Sequence, residues 1–245
     1  MLDIKQIYHK FLMNESEKRP PNNEKFHASG TGSCYRKQLY SYYDFPKDQN
    51  EEKGLRILDL GTTVHERIQN SIKWYLEESK EIKSKVFIEG EINIPSLNLT
   101  GRYDVAMILD DECWLWDIKT AAAYSWSKMF GIKKNRVAGS SDNYKLQIGT
   151  YALGIRHQYK IEKIHMYLLW YNKNTSMMRE QPVPPEWIDK AYEYWADMND
   201  KLSEYGENFE TSDLLEPGFS FGVPFQDWEC KYCQYNSICP TTITK

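Results

Sequence analysis

Apolar positions recur along this chain with two periods, and the switches between them mark its elements. Near the start, Ile4, Ile7, Tyr8 and Phe11 share one side of a 3.6-residue repeat and predict a short amphipathic helix. Residues 33–44 read as a second helix, with Ser33 as its cap. The clearest helix spans residues 55–79, where Ile57, Leu60, Val64, Ile68 and Ile72 make one apolar stripe. The period then falls to two, and residues 84–94, 97–109 and 113–120 read as three successive strands. A helical stretch follows from Tyr124 to about Lys134, then a Gly-Ser loop at 138–143 and a helix from about Asn143 to Gln158. Residues 163–172 form another strand, 175–183 are placed to pair with it, and 184–205 open on prolines and run as a long helix. The tail has no clear period. This order predicts one α/β domain over residues 1–245, built on a mixed central sheet flanked by helices, with its core at about 55–182.

Composition supports a packed core. Hydrophobic residues make up 41% and charged residues 27% of the 245-residue chain, which excludes a disordered chain. No apolar run approaches the roughly eighteen residues of a membrane span. The N-terminus lacks the basic start and small-residue cleavage site of a secretory signal, so a cytoplasmic location is expected, in a host cytoplasm if the chain is phage-encoded. The net charge of −4 carries no overall basic excess, so any surface for a polyanion must be local. Lys128, Lys133, Lys134 and Arg136 lie in a stretch without an acid and are the best candidates; on charge alone the stretch also fits a solvated loop.

Charge inside an apolar strand is harder to dismiss. "CWLWDIKTA" (113–121) carries Asp117 and Lys119 two residues apart, hence on one face. If Asp110 and Asp111 form a hairpin tip, opposed residues sum to 221, and Asp104 stands across from Asp117. Opposed Cβ atoms lie about 4.5–5.5 Å apart, and like charges there are destabilising. A divalent cation reverses that sign: two carboxylates, with the Ile118 carbonyl as a third donor, suit Mg²⁺ or Mn²⁺. Lys119 beside it would polarise water or neutralise charge on a phosphate. The opposite face, with Tyr103, Val105, Met107, Trp114, Trp116 and Ile118, is apolar throughout and is expected to pack on helices. A sheet-edge ion-pair cluster is the plainer reading of a D-x-K triplet alone.

Four short motifs in order make the pattern specific. "LTGRYD" (99–104) followed by "WLWDIKT" (114–120) resembles the acid then D/E-x-K signature of the PD-(D/E)xK nuclease superfamily, in its RecB-like branch. "GTTVHERIQ" (61–69) resembles that branch's G-T-x-x-H motif and supplies His65. "LQIGTY" (146–151) resembles its Q-x-x-x-Y motif and supplies Gln147 and Tyr151, four apart on one helix face. The resemblance implies a restriction-endonuclease-like core in which Asp104 and Asp117 bind the metal and Lys119 assists the water. His65 would be a further ligand or would orient the phosphate, and Gln147 and Tyr151 would hold the substrate strand or the lysine. Two positions depart from the commonest pattern: Tyr103 stands where a proline is usual, and the second acid is Asp rather than Glu.

Five cysteines without a secretory signal argue against a disulfide framework. Cys230, Cys233 and Cys239 have the spacing of a metal or iron–sulfur site that lacks one ligand, with Cys34 and Cys113 as candidates for the fourth. Cys113 lies within a strand, where a thiol is usually a small buried hydrophobe. Spacing fits zinc as well as iron–sulfur. A lone N-terminal Cys plus this C-terminal trio resembles the iron–sulfur RecB-like nucleases, including the CRISPR-associated adaptation exonucleases and the nuclease domain of AddB. That resemblance implies a [4Fe–4S] cluster on Cys34, Cys230, Cys233 and Cys239, in a module formed by the Cys34 region and about 226–241. It also implies a metal-dependent exonuclease acting on DNA, chiefly single-stranded ends, in recombination, repair, phage DNA metabolism or CRISPR adaptation, with proteins of those pathways as partners. A structure-selective or nicking endonuclease, a non-cutting DNA-binding subunit of a recombination complex and a zinc-stapled interaction protein are the competing readings.

Overall fold

The computed structural model describes residues 3–18, 24–49, 51–79, 84–206, 219–220, 223–224, 229–230 and 232–239. The chain opens with α1 (Ile4–Glu17), whose N-terminus is capped by Asp3, and a two-residue strand β1 (Phe26–His27). Helices α2 (Tyr35–Tyr42) and α3 (Glu52–Glu78) follow, then strands β2 (Lys85–Ile94), β3 (Leu99–Leu109) and β4 (Glu112–Ala121). After α4 (Ala123–Phe130) and α5 (Asp142–Tyr159) come β5 (Lys163–Asn172), β6 (Met178–Val183) and α6 (Glu186–Tyr205). A small pairing of β7 (Phe219–Ser220) with β8 (Val223–Pro224) lies beyond.

The sheet is mixed. Strand β3 pairs antiparallel with β2 and with β4, β4 runs parallel to β5, and β5 pairs antiparallel with β6. The parallel step needs a long crossover, and α4 with α5 provides it. Residues 99 and 100 pair with both β2 and β1, so β1 and β4 share the other edge of β3. Between them that edge is open.

Helix α5 lies between the sheet and α6. A side chain at Gly149 would collide with the Trp187 carbonyl, so glycine allows the two helices to approach closely. The main core forms on this side of the sheet, from Ile92, Leu99, Leu115, Ile148, Ile155, Trp170 and Trp195 among others. A C-terminal segment packs against α2 and the residues after it: Tyr235 is buried and stacks on Tyr40 of α2, and the Asp48 amide donates to the Gln234 carbonyl at 2.6 Å.

Several local expectations change. Ile4, Ile7, Tyr8 and Phe11 of α1 stay exposed, and Leu12 is the residue that buries. In α3, Ile57 and Leu60 face solvent while Leu55 and Gln69 are buried, because the helix lays a different strip on β3 and β4. Cys34, not Ser33, occupies the N-cap of α2. On β4 the fully buried residues are Cys113, Leu115 and Ile118. Trp114 and Trp116 are half-buried on the other face, stacked on His165 and Tyr167 of β5. They do not anchor the strand in the main core.

Candidate active site

Five β3–β4 pairs, from Leu109–Glu112 to Val105–Trp116, have the register that sums to 221, with Asp110 at the turn in the left-handed conformation (φ 52°). Pairing stops one step before Asp104 and Asp117. There the Ile118 amide donates to Asp104 Oδ2 at 2.5 Å, so a side chain replaces the next rung of the ladder.

A kink shared by β2 and β3, with their register unchanged on either side, explains the break. Phe87 opposes Ala106, and Phe87 packs on Tyr159 of α5. Gly90 opposes Tyr103, whose phenol lies near that of Tyr159. Opposed residues share a face, so positions 87 and 90, and likewise 103 and 106, turn toward α5. A regular strand alternates by two, so the alternation slips by one residue between them. Glu89, with φ at 57°, sits at that slip across from Asp104, one residue against one. This is why Tyr103 faces α5 rather than sharing a face with Val105, as unbroken alternation predicts.

The opened edge collects side chains from both layers. From α3, His65 Nδ1 lies 3.3 Å from Asp104 Oδ1. On β4, Lys119 Nζ stands 2.8 Å from Asp117 Oδ2, near enough for an ion pair but not aligned as a hydrogen bond. That oxygen is buried without a hydrogen-bond partner, in a residue only 2% exposed. From α5, Gln147 donates to the Tyr151 hydroxyl at 2.8 Å. The ring beneath Lys119 is Tyr144, 5.5 Å from Nζ to centroid. Sequence reasoning missed Tyr144, although it lies one helical turn before Gln147 and so on the same side of α5.

The two carboxylates are driven apart in acidity. Burial pushes Asp117 up to about 7, aided by the charge of Asp104 and opposed by Lys119. Burial also acts to raise Asp104, but His65, Lys119 and the Ile118 amide together hold it below the usual carboxylate range. Burial works against the Lys119 charge, yet Asp117 and Asp104 raise its pKa on balance, so the ammonium persists at neutral pH. Tyr151 is raised well above its ordinary value, by burial first and then by the charge of Asp117, with smaller effects from Asp104 and Glu89.

Among the described residues no three His, Cys, Asp or Glu side chains stand in a ready-made metal group. The chemistry of the donors nevertheless fits a hard cation: two adjacent carboxylates, one with an unbonded buried oxygen. Lys133, Lys134 and Arg136 are exposed just beyond α4, and Lys128 lies over the Tyr124 ring at 5.2 Å.

The cysteine expectations concern the other end of the molecule. Cys34, Cys230, Cys233 and Cys239 are free thiols, and Cys34, Cys233 and Cys239 all bear electrostatically on Cys230. Burial raises Cys34 and pushes Cys230 up to about 11. Cys113 is buried in the main core, pushed up to about 12, and behaves as a small hydrophobe. Residues 226–228, 231, 240 and 241 of the expected module lie outside the described residues.

No helix among the described residues is long and apolar enough to cross a membrane. No curated protein matches the chain. Among solved structures, the chain is similar in fold to the protein described as SSO0001, at 16% identity and a TM-score of 0.53, covering 99% of each chain. A second structure, a Eubacterium rectale protein provisionally described as an exonuclease, aligns at 15% identity and a TM-score of 0.46, over 100% of this chain and 95% of that one. The sequence pattern of the PD-(D/E)XK nuclease superfamily matches residues 56–240, a span that contains His65, Asp104, Asp117, Lys119, Gln147 and Tyr151. The chain therefore belongs to the PD-(D/E)XK nuclease superfamily.

Proposed function

We propose that this chain is a Mg²⁺- or Mn²⁺-dependent deoxyribonuclease of the RecB-like branch, acting as an exonuclease on single-stranded DNA ends. The observation that carries the reading is the meeting of Asp104, Asp117, Lys119 and His65 where the β3–β4 ladder opens, around a buried carboxylate oxygen with no hydrogen-bond partner. Asp104 and Asp117 would hold the cation, with the Ile118 carbonyl and His65 as further donors. The cation supplies Lewis acidity, neutralising phosphate charge and making water a better nucleophile.

The remaining roles belong to the protein. Lys119 already carries its proton, so it acts as a cation and proton donor toward the phosphate rather than as a base. Tyr144 holds that ammonium over its ring face. Gln147 and Tyr151, bonded to each other and buried, form a rigid floor beside Asp117. The exposed Lys133, Lys134 and Arg136, with Lys128, give the negatively charged chain a local basic surface for a DNA backbone.

The nuclease unit occupies the whole chain in this reading, with its core at about 55–182. A [4Fe–4S] cluster on Cys34, Cys230, Cys233 and Cys239 would fasten the chain ends, and zinc is its competitor. Support comes from the mutual influence of these thiols and from the C-terminal segment packed on α2. The test is hydrolysis of end-labelled linear and circular single-stranded DNA with Mg²⁺ or Mn²⁺. Degradation of linear DNA alone is expected, because an exonuclease cannot start on a circle. Cutting of the circle would make the enzyme an endonuclease.

A further inference from the structure

Gln69 lies one turn after His65 on α3 and is 5% exposed. Residues four apart share a helix face, and here both reach the sheet. His65 meets Asp104 on β3, and Gln69 Nε2 donates to Glu89 Oε1 on β2. Glu89 is the residue across from Asp104 at the kink, flanked by the Ile88–Val105 and Gly90–Tyr103 pairs. Its second oxygen lies 4.0 Å from Arg102 Nη1.

Two features mark this as more than a surface contact. A glutamine buried on a helix face is unfavourable unless its polar atoms are bonded. A non-glycine residue at φ 57° is unfavourable too, and persists only where its surroundings hold it. The Gln69–Glu89 bond answers both at once, and it does so directly across from Asp104.

We infer that Gln69 and Glu89 form a positioning pair that locks the β2–β3 kink and so holds Asp104 turned toward His65 and the Ile118 amide, ready for a cation. The inference rests on the metal-dependent nuclease reading. His65 ties α3 to β3 at Asp104. The second bond, one helical turn away, ties the same helix face to β2 at the residue across from Asp104. Without it Asp104 can swing back toward the ordinary ladder position across from Asp117.

Full-length wild type, Gln69→Ala, Glu89→Ala and Glu89→Gln are compared by Mn²⁺ binding in electron paramagnetic resonance, thermal melting without added metal, and cleavage of end-labelled single-stranded DNA. Gln69→Ala and Glu89→Ala should weaken Mn²⁺ binding by about tenfold or more, the usual effect of losing a group that orients a ligand, while remaining folded with melting lowered by only a few degrees. Glu89→Gln keeps an acceptor for Gln69 and should bind Mn²⁺ nearly as wild type does. Wild-type Mn²⁺ affinity in both alanine variants would overturn the inference. So would a Glu89→Gln variant as weak as Glu89→Ala, or a loss of affinity that follows a loss of folding. A wild type that neither binds Mn²⁺ nor cuts DNA would refute the nuclease reading itself, and the inference with it.

Discussion

Replacing Asp117 by asparagine should stabilise the metal-free protein at neutral pH while removing its activity. In the fold, burial pushes Asp117 up to about 7, whereas an unfolded aspartate titrates near about 3.9. Three pKa units correspond to about 4 kcal/mol. Because the folded value is the higher one, this favourable contribution is fully present below about pH 4 and is lost as pH rises toward 7. Asparagine does not ionise and keeps it. Part of the gain is returned, because Lys119 loses its nearer partner and retains only Asp104. A net stabilisation of about 2 kcal/mol at pH 8 is expected, after the cost of leaving one member of a buried pair less well matched. For a chain of this size that raises the melting temperature by roughly 4–8 °C.

The assay is thermal unfolding of both proteins in EDTA from about pH 4 to pH 8. The curves should converge toward the acid end, where Asp117 is protonated in both the folded and the unfolded chain, and separate as pH rises. Adding Mg²⁺ at about 100 times its dissociation constant should raise the wild type by about 2.7 kcal/mol and leave the variant unmoved. A melting difference that is constant with pH, or a variant less stable at pH 8, would refute the reasoning about Asp117.

Cys34→Ala or Cys233→Ala should abolish the brown colour and broad visible absorbance of anaerobically purified protein and reduce its solubility before affecting any catalytic step; coloured, well-folded variants would exclude the [4Fe–4S] assignment. Tyr144→Leu removes the ring beneath Lys119, an interaction of about 1 kcal/mol, and should lower kcat about fivefold with little change in KM; single-turnover cleavage measures it.

Much of the sheet was legible in the sequence because β2 to β5 read as extended apolar segments and a short acidic turn fixes one register. The sum of 221 followed from Asp110 and Asp111 alone, and five pairs obey it. What alternation could not show was where it fails. The kink lies where Glu89 takes a left-handed conformation, and the partner of Glu89 there is Gln69, twenty residues away on another element. The stripe on α3 misled for a related reason: helical period locates a face, but the strip that packs on β3 and β4 is chosen by tertiary contact, and it includes a buried glutamine. On β4, a tryptophan's size suggested burial, yet Leu115 fills the core and Trp116 stacks at its margin, donating its indole N–H to Glu180. The motif residues came together because spacing four apart on a helix and two apart on a strand fixes direction with little help from context. Tyr144 had the same spacing relative to Gln147, but Tyr leads the aromatic content of this chain, with 18 residues, and spacing alone did not separate it from the others.

The central claim is that Lys119, beside Asp104 and Asp117, takes part in cleaving a phosphodiester bond. Its most direct test is the rate of Mg²⁺-dependent cleavage of end-labelled linear single-stranded DNA by wild type and Lys119→Ala, with melting and DNA binding measured alongside. The account predicts that the variant folds and binds DNA but cleaves about 10²–10⁴-fold more slowly, the range expected for loss of a positioned proton-transferring group. Equal cleavage by the two proteins would contradict it.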